Sequence, residues 1–426
     1  MTNTTMIDTP VPVHLSAILR DTVVDANGKT IGSLVDVIVR LRPDGYPALT
    51  GLVLRYGQNN VFVPMSDVTE LDSARVNLGT AELDLRTFER RDGEVLLKEA
   101  VLGHRLIDVD RATLVRAYDV AITPSDGGWV ATGLDVHRRR FSPWANHEQH
   151  PIRDWKSFEA LIGHEPSVQV RSGFGRLRGL RAPQIADLIE SASTRERDDL
   201  LDHLHNHPDL EADVFEELED NHQTQVLKAR TTEEIAGVLT RMHTDDAVDA
   251  ILDLPQERRR PVVDALPEAK RADVLRLMRY QEGSAGGLMG VEYLAIAESS
   301  TVRESLEMLR AAKAQQPEAL TTIYSVDAEN RLVGTLSLVR ALQVDPAALL
   351  RDVSDLEPVH ADPRDDIVDI CNLMADYNLL TLPILDDGDH ILGVITVDDA
   401  LEAAIPEDWR RRDRHLHSAN HGDDTD

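Results

Sequence analysis

Cysteine is almost missing from this chain: Cys371 is the only one among 426 residues. A single thiol excludes an intramolecular disulfide and agrees with a reducing compartment. Long apolar runs are missing too, since none approaches the roughly 18 residues a helix needs to cross a bilayer. Residues 1–10 offer neither the basic stretch nor the apolar core of a secretory leader. The expectation is a cytoplasmic protein without membrane insertion. Positive charge is scarce: 45 Lys and Arg stand against 75 Asp and Glu, a formal charge of −30. That balance opposes a nucleic-acid backbone and favours cations or basic partners, besides keeping the chain soluble. Also lacking are a Ser/His/Asp arrangement, a phosphate-cradling glycine loop and an acid/base pair with supporting context, so no enzyme is expected.

What is present is repetition. Apolar content of 42% is that of a folded protein, and the length has room for about three domains. In residues 11–72, alternating apolar runs at 30–41, 49–56 and 61–64 are separated by turns at Asn27-Gly28, Pro43-Asp44-Gly45 and Gly57-Gln58-Asn59, which predicts a small β-barrel or half-barrel. A weaker copy occupies 73–142, where Thr113 to Val120 lies 83 residues beyond Thr30 to Val37 and Gly103 to Asp108 opens it. Asp36 and Asp119 recur at one place. A carboxylate at a strand end is more often structural than catalytic, and neither is given a chemical role. The run from Val23 through Gly28-Lys29-Thr30-Ile31-Gly32 to Val61-Phe62-Val63-Pro64-Met65 resembles the PRC-barrel family, which implies a docking module. Residues 143–178, broken by prolines and glycines around Trp144 and Trp155, read as a linker that packs on a neighbour.

Residues 179–284 are helical with a period of 24. Val214, Leu218, Val226 and Leu227 recur as Val238, Met242, Ala250 and Ile251, then as Val262, Leu266, Val274 and Leu275, and an earlier set (Leu188, Ala192, Leu200, Leu201) sits 26 before the first. Helix pairs stacked at that period make a solenoid. His203, His205 and His207 alternate on a helix that Pro208 ends. This spacing turns adjacent imidazoles to different sides, so a surface helix end is favoured over a metal site.

Residues 285–345 and 346–409 form a third duplication, with Leu332 to Ser337 over Ile391 to Thr396 at an offset of 59 and Val302, Leu306 and Leu309 over Ile367, Cys371 and Met374 at 65. Each copy reads helix, strand, strand, helix. The stretch Gly393-Val394-Ile395-Thr396-x-x-Asp399 resembles the signature of tandem CBS domains, which implies that Thr396 and Asp399 hold the ribose of an adenine nucleotide. The first copy has Ser337 but Arg340 in the acid's place. Thr-x-x-Asp is also a capping box, and both readings stay open. Residues 410–426 read as a polar, disordered tail. The expected fold is multidomain α+β: barrel modules, a helical solenoid and an α/β CBS pair.

The helical repeats, the junction Tyr280-x-Glu282-x-x-Ala285-Gly286-Gly287-Leu288-Met289 and the CBS pair together resemble the cytosolic part of the MgtE magnesium transporter family, over about residues 180–408. That family continues into a membrane domain; this chain passes into Arg410-Arg411-Arg412, so the expectation is that it senses without conducting. The resemblance implies Mg²⁺ sites between the solenoid and the CBS pair. Asp245 and Asp249 match an acidic pair one helical turn apart, and Asp366, Asp399 and Glu402 match further acidic positions. Asp369 stands beside Val368, which replaces a family acid, while Asn378 replaces another and Glu407 is a further candidate. Solvated helix faces and helix N-termini also attract acids. Mg²⁺ takes oxygen ligands, keeps waters and needs only one or two carboxylates, so no contiguous motif is required. The expected function is an Mg²⁺-responsive regulator, homodimeric through its CBS domains and acting on a separately encoded membrane transporter or another protein. Its alternatives are an adenine-nucleotide sensor and an assembly scaffold.

Overall fold

The computed structural model describes residues 12–136 apart from 43–44, 73–74, 82–83, 85, 87, 92 and 126, then 152–159, and 177–405 apart from 313–316. The chain forms two units that meet in sequence at Glu219 and Asp220. The prolines at 143, 151 and 166, Trp144, Glu407 and the 410–426 tail lie outside the described residues.

The first unit opens with β1 (Val13–His14), α1 (Leu15–Ile18), β2 (Thr22–Val24), β3 (Thr30–Arg40), β4 (Ala48–Tyr56), β5 (Asn59–Pro64), β6 (Val68–Leu71) and β7 (Val76–Leu78). The series then repeats as β8 (Glu94–Leu96), α2 (Leu97–Ala100), β9 (Arg105–Asp108), β10 (Thr113–Arg116), β11 (Asp119–Ser125), β12 (Gly128–Asp135), β13 (Arg153–Asp154) and β14 (Phe158–Glu159). Among the described residues, eleven strands form one nearly closed sheet in the order β1-β11-β12-β4-β3-β2-β7-β6, with β13 on β12, β5 on β4 and β8 on β3; β10, β9 and β14 form a second.

The two copies exchange their opening strands. β1 pairs with β11 of the other copy, His14 opposite Ala121, and β8 pairs with β3, Leu96 opposite Ile38. Ala121 and Ile38 are the 83-residue equivalents of each other, so the exchange is reciprocal. Asp36 accepts hydrogen bonds from Val37 N, Lys98 N and Glu99 N at 2.7, 2.8 and 3.1 Å, capping α2. Asp119 accepts from Val120 N at 2.8 Å and Ser16 N at 2.9 Å, and from Ser16 Oγ, capping α1. Each buried carboxylate thus satisfies the orphan N–H groups of a helix belonging to the other copy.

A boundary between residues 72 and 73 therefore separates sequence repeats rather than folding units. One apolar core runs from Leu15 through Leu34, Leu52, Val120 and Leu134 to Phe158. The second copy also extends into the expected linker: β13 pairs with β12, β14 with β9, and Trp155 packs on the common core.

Helices α3 (Ala182–Ser191), α4 (Thr194–Leu204) and α5 (Pro208–Glu216) complete this unit. Arg105 of β9 ties the end of α3 and the start of α4 to the sheet, donating from Nη1 to Glu196 at 2.9 Å and from Nη2 to the Ser191 carbonyl at 3.0 Å. The histidines serve different partners: His203 Nδ1 lies 2.6 Å from the Asp199 carbonyl and His205 3.5 Å from Glu211.

The second unit continues the repeat with α6 (Asp220–Lys228), α7 (Thr232–Leu239), α8 (Thr244–Asp253), α9 (Gln256–Ala265) and α10 (Glu268–Leu277). Each helix packs on the next but one, α6 on α8, α7 on α9 and α8 on α10, which buries the stripe Val226, Val238, Ile251, Val262 and Val274. Leu275 departs from the expected stripe. It is 48% exposed, and Leu277 turns inward in its place, because α10 closes the stack and its outer face meets no following repeat.

The short α11 (Ala285–Leu288) leads into the CBS region, whose first copy comprises β15 (Leu294–Ala297), α12 (Val302–Ala311), β16 (Thr322–Val326), β17 (Leu332–Ser337) and α13 (Leu338–Gln343). The second follows as α14 (Leu350–Val353), α15 (Ile367–Tyr377), β18 (Thr381–Leu385), β19 (Ile391–Thr396) and α16 (Val397–Ala404). Residues 59 apart meet across a pseudo-twofold axis. Thr381 Oγ1 donates to Thr322 Oγ1 at 2.9 Å, and Arg331 pairs with His390. Val326, Leu332, Leu385 and Ile391 close the shared core. Lead-ins are exchanged here as well: Gly290, ahead of the first copy, pairs with Val394 of the second, and Asp355, ahead of the second, pairs with Thr335 of the first.

Candidate metal centre

The junction motif is a packing device that sets one end of the CBS pair against the helices. A Cβ on Gly286 would stand 2.5 Å from the Tyr280 ring and 3.1 Å from the Pro363 carbonyl. The bare backbone instead approaches closely enough for Gly286 N to donate to Pro363 O at 2.9 Å and Ala285 N to Asp365 O at 2.8 Å.

This arrangement brings the start of α8 to the start of α16. Asp245 and Asp246 lie in the first turn of α8, and Asp249 lies one turn on. Asp399 lies in the first turn of α16. Asp245 is pushed well above the usual carboxyl range by burial first, then by the charges of Asp246, Asp399 and Glu292. Its Oδ1 is buried without a hydrogen-bond partner, which costs free energy unless something positive supplies what water did. Asp399 is raised to about 6, by burial and by Asp398 and Asp246, against the lowering effect of its bonds to Thr396. Asp249 is raised to about 7 by desolvation and by Asp246, Glu282, Asp253 and Asp220.

Glu292 enters from the CBS side. Its Oε1 accepts from the buried Thr244 hydroxyl at 2.8 Å and its Oε2 from Val291 N at 3.0 Å. Gly290 leaves the space between these acids open, for a Cβ there would lie 3.3 Å from Glu292 Oε2 and 3.9 Å from Asp245 Oδ2. An all-oxygen donor set, an orphaned carboxylate oxygen and raised carboxyl pKa values fit a hard divalent cation such as Mg²⁺.

The structure places the remaining predicted residues as follows. Asp366 caps α15, accepting from Val368 N at 2.9 Å and Asp369 N at 3.0 Å. Asp369 is exposed in the first turn of that helix and Glu402 is exposed on α16. None of the three is among the groups acting most strongly on Asp245, Asp249 or Asp399. Thr396 is buried and forms the capping box of α16: its backbone N donates to Asp399 Oδ2 at 3.1 Å, its hydroxyl lies 2.6 Å from the same oxygen, and Asp399 N points back at the hydroxyl at 3.4 Å. The bonds to Asp399 among the described residues all use Oδ2, which leaves Oδ1 for another partner. The first copy has only half of this, Arg340 N donating to Ser337 Oγ at 3.2 Å. Asp119 stands between Ser16 and His14, so in this set the carboxylate, and not the imidazole, meets the serine hydroxyl.

Comparison with known proteins follows the same division. Residues 180–283 match the MgtE intracellular N domain and residues 350–405 the CBS domain. This chain carries an MgtE N domain joined to CBS. The magnesium transporter MgtE of Thermus thermophilus is 35% identical over 253 residues, covering 53% of this chain and 56% of that protein. MgtE of Bacillus subtilis is 25% identical over 195 residues, covering 46% and 43%. The chain therefore spans about half the length of these relatives. Among solved structures, the soluble part of a magnesium transporter aligns with a TM-score of 0.50 at 28% identity, over 53% of this chain and 88% of that one. The cytosolic domain of the Mg²⁺ channel MgtE in complex with ATP aligns with a TM-score of 0.50 at 31% identity, over 53% and 91%. The chain is thus homologous to MgtE cytosolic domains, and among its described residues no helix is long and apolar enough to cross a membrane.

No motif in the sequence marks Thr244, Gly290 or Glu292 as part of a site, while Asp246 adjoins Asp245 in the first turn of α8. Glu292 precedes the first CBS strand at a spacing no acidic motif marks, and only the fold brings it to α8.

Proposed function

We propose that this chain is a regulatory protein that responds to Mg²⁺ at the acidic seam between α8 of the MgtE N domain and the CBS pair, through Asp245 and Asp399, with Asp249 adding charge from the next turn. The observation that carries this reading is Asp245 Oδ1, buried, unpartnered and close to a second carboxylate from another domain. Two like unit charges at 4 Å cost about 1 kcal/mol in water and several times that in a less polar gap. Without a cation the seam is repulsive; a divalent ion held by these oxygens reverses the sign. Asp366, Asp369 and Glu402, which cap or line helices outside the seam, would contribute through the general field.

Small-angle scattering of the chain during MgCl₂ titration tests this. Compaction in the millimolar range is expected, and the double variant Asp245→Asn, Asp249→Asn is expected to lack it. A wild-type profile that does not change would overturn the reading. The natural target is a membrane transporter or another protein, recruited by the N-terminal sheet.

A second reading rests on the ATP complex of the related cytosolic domain: an adenine nucleotide held at Thr396 and Asp399. Calorimetry with ATP in EDTA separates it from the first, since binding that persists without divalent ions and is lost in Thr396→Ala belongs to the nucleotide. Homodimerisation is part of the proposal. Val368 and Tyr377 on α15 and Val397 and Leu401 on α16 are exposed apolar residues that a second copy would cover. Leu401→Glu is expected to shift the sedimentation coefficient to that of a monomer.

A further inference from the structure

We infer that Glu292 is a third ion-holding carboxylate of this seam, aimed by a fixed chain of donors that runs from Lys270 through Thr244. The inference rests on the Mg²⁺ reading above and names a residue that neither the sequence pattern nor the paired acids supplied. Lys270 Nζ donates to the Met242 carbonyl at 2.6 Å and to Thr244 Oγ1 at 3.0 Å. Because an ammonium only donates, the Thr244 oxygen accepts from it, and the hydroxyl proton is then directed at Glu292 Oε1, 2.8 Å away. Thr244 is 1% exposed, so no water competes for that proton. With Oε1 occupied, Oε2 accepts from Val291 N at 3.0 Å and keeps its remaining lone pairs at the space beside Gly290, where a Cβ would lie 3.3 Å from it and 3.9 Å from Asp245 Oδ2.

Two further elements thus bring charge to Asp245 at the start of α8: the start of α16 with Asp399 and the lead-in to β15 with Glu292. Mg²⁺ keeps several of its waters, and a carboxylate whose orientation is locked serves either as a ligand or as the acceptor for a metal-bound water. Residues that orient metal-site groups typically cost about 10-fold to 100-fold in affinity when removed.

The test uses the full chain and MgCl₂ as the probe. Glu292→Gln and Thr244→Val are expected to raise the Mg²⁺ concentration for half-maximal compaction by about tenfold, and Thr244→Ser, which keeps the hydroxyl, is expected to stay near wild type. Melting in EDTA provides the control. Glu292→Gln is expected to melt no lower than wild type there, because it removes a negative charge from beside Asp245, while its gain in melting temperature on adding MgCl₂ shrinks. A purely structural role gives the reverse: lower melting in EDTA with the Mg²⁺ increment intact, and that result overturns the inference. Wild-type titration by Glu292→Gln alongside a silent Asp245→Asn also overturns it and leaves the Mg²⁺ reading standing. Loss of any Mg²⁺ response in the wild type overturns both.

Discussion

Asp245 pays for its position in the ion-free protein, and two neighbours turn that into a measurable pH dependence. Asp249 is raised to about 7 and Asp399 to about 6, so the folded form holds these protons more tightly than the unfolded chain. Below about pH 4 both states are neutral and no penalty exists; it grows as pH rises and is complete above about pH 7. Metal-free melting temperature is therefore expected to fall between about pH 4 and 7, with differential scanning calorimetry in EDTA as the measurement. Saturating MgCl₂ should flatten that slope. Since the ion displaces protons, binding should release them near pH 6 to 7 and weaken toward acid, which calorimetry in buffers of different ionisation enthalpy reads directly. Asp245→Asn is expected to raise the melting temperature in EDTA at pH 8 and to abolish the increment that magnesium gives.

The caps and junctions make predictions at the scale of elements. Asp36→Ala leaves Lys98 N and Glu99 N without their acceptor, and Asp119→Ala does the same to Ser16 N. Each is expected to cost about 2 kcal/mol in urea unfolding of the chain. Gly286→Ala forces the Tyr280 ring aside and should cost about 1–3 kcal/mol, as overpacking does. The repeats were legible at this scale because each leaves a period: the β copies at 83, the helices at 24 and the CBS copies at 59 all reappear as structural equivalents. Leu275 keeps the period yet faces outward, because a period says nothing about where a stack ends. Asp366 matches a family acidic position and also stands at a helix start, and the structure shows the second role, its Oδ1 accepting from two backbone amides. What a sequence does not display is which distant lead-in arrives beside a helix start. For that reason Asp245 and Asp399 were visible as candidates and Glu292 was not.

For the whole molecule, the main architectural fact is that duplicated halves trade their opening segments, in the N-terminal sheet and again in the CBS pair. A fragment ending at residue 72 lacks β8 and the helix that Asp36 caps. It is expected to be unfolded by circular dichroism, while residues 73–159 supplied as a separate chain should restore the sheet. The trade also imposes an order of events during synthesis. β3 is complete at Arg40, yet its partner β8 begins at Glu94, and a ribosome adding about 5–20 residues per second needs several seconds to deliver it. Throughout that interval the nascent chain exposes an unfinished edge, which makes the first hundred residues the stretch where a chaperone has most to protect.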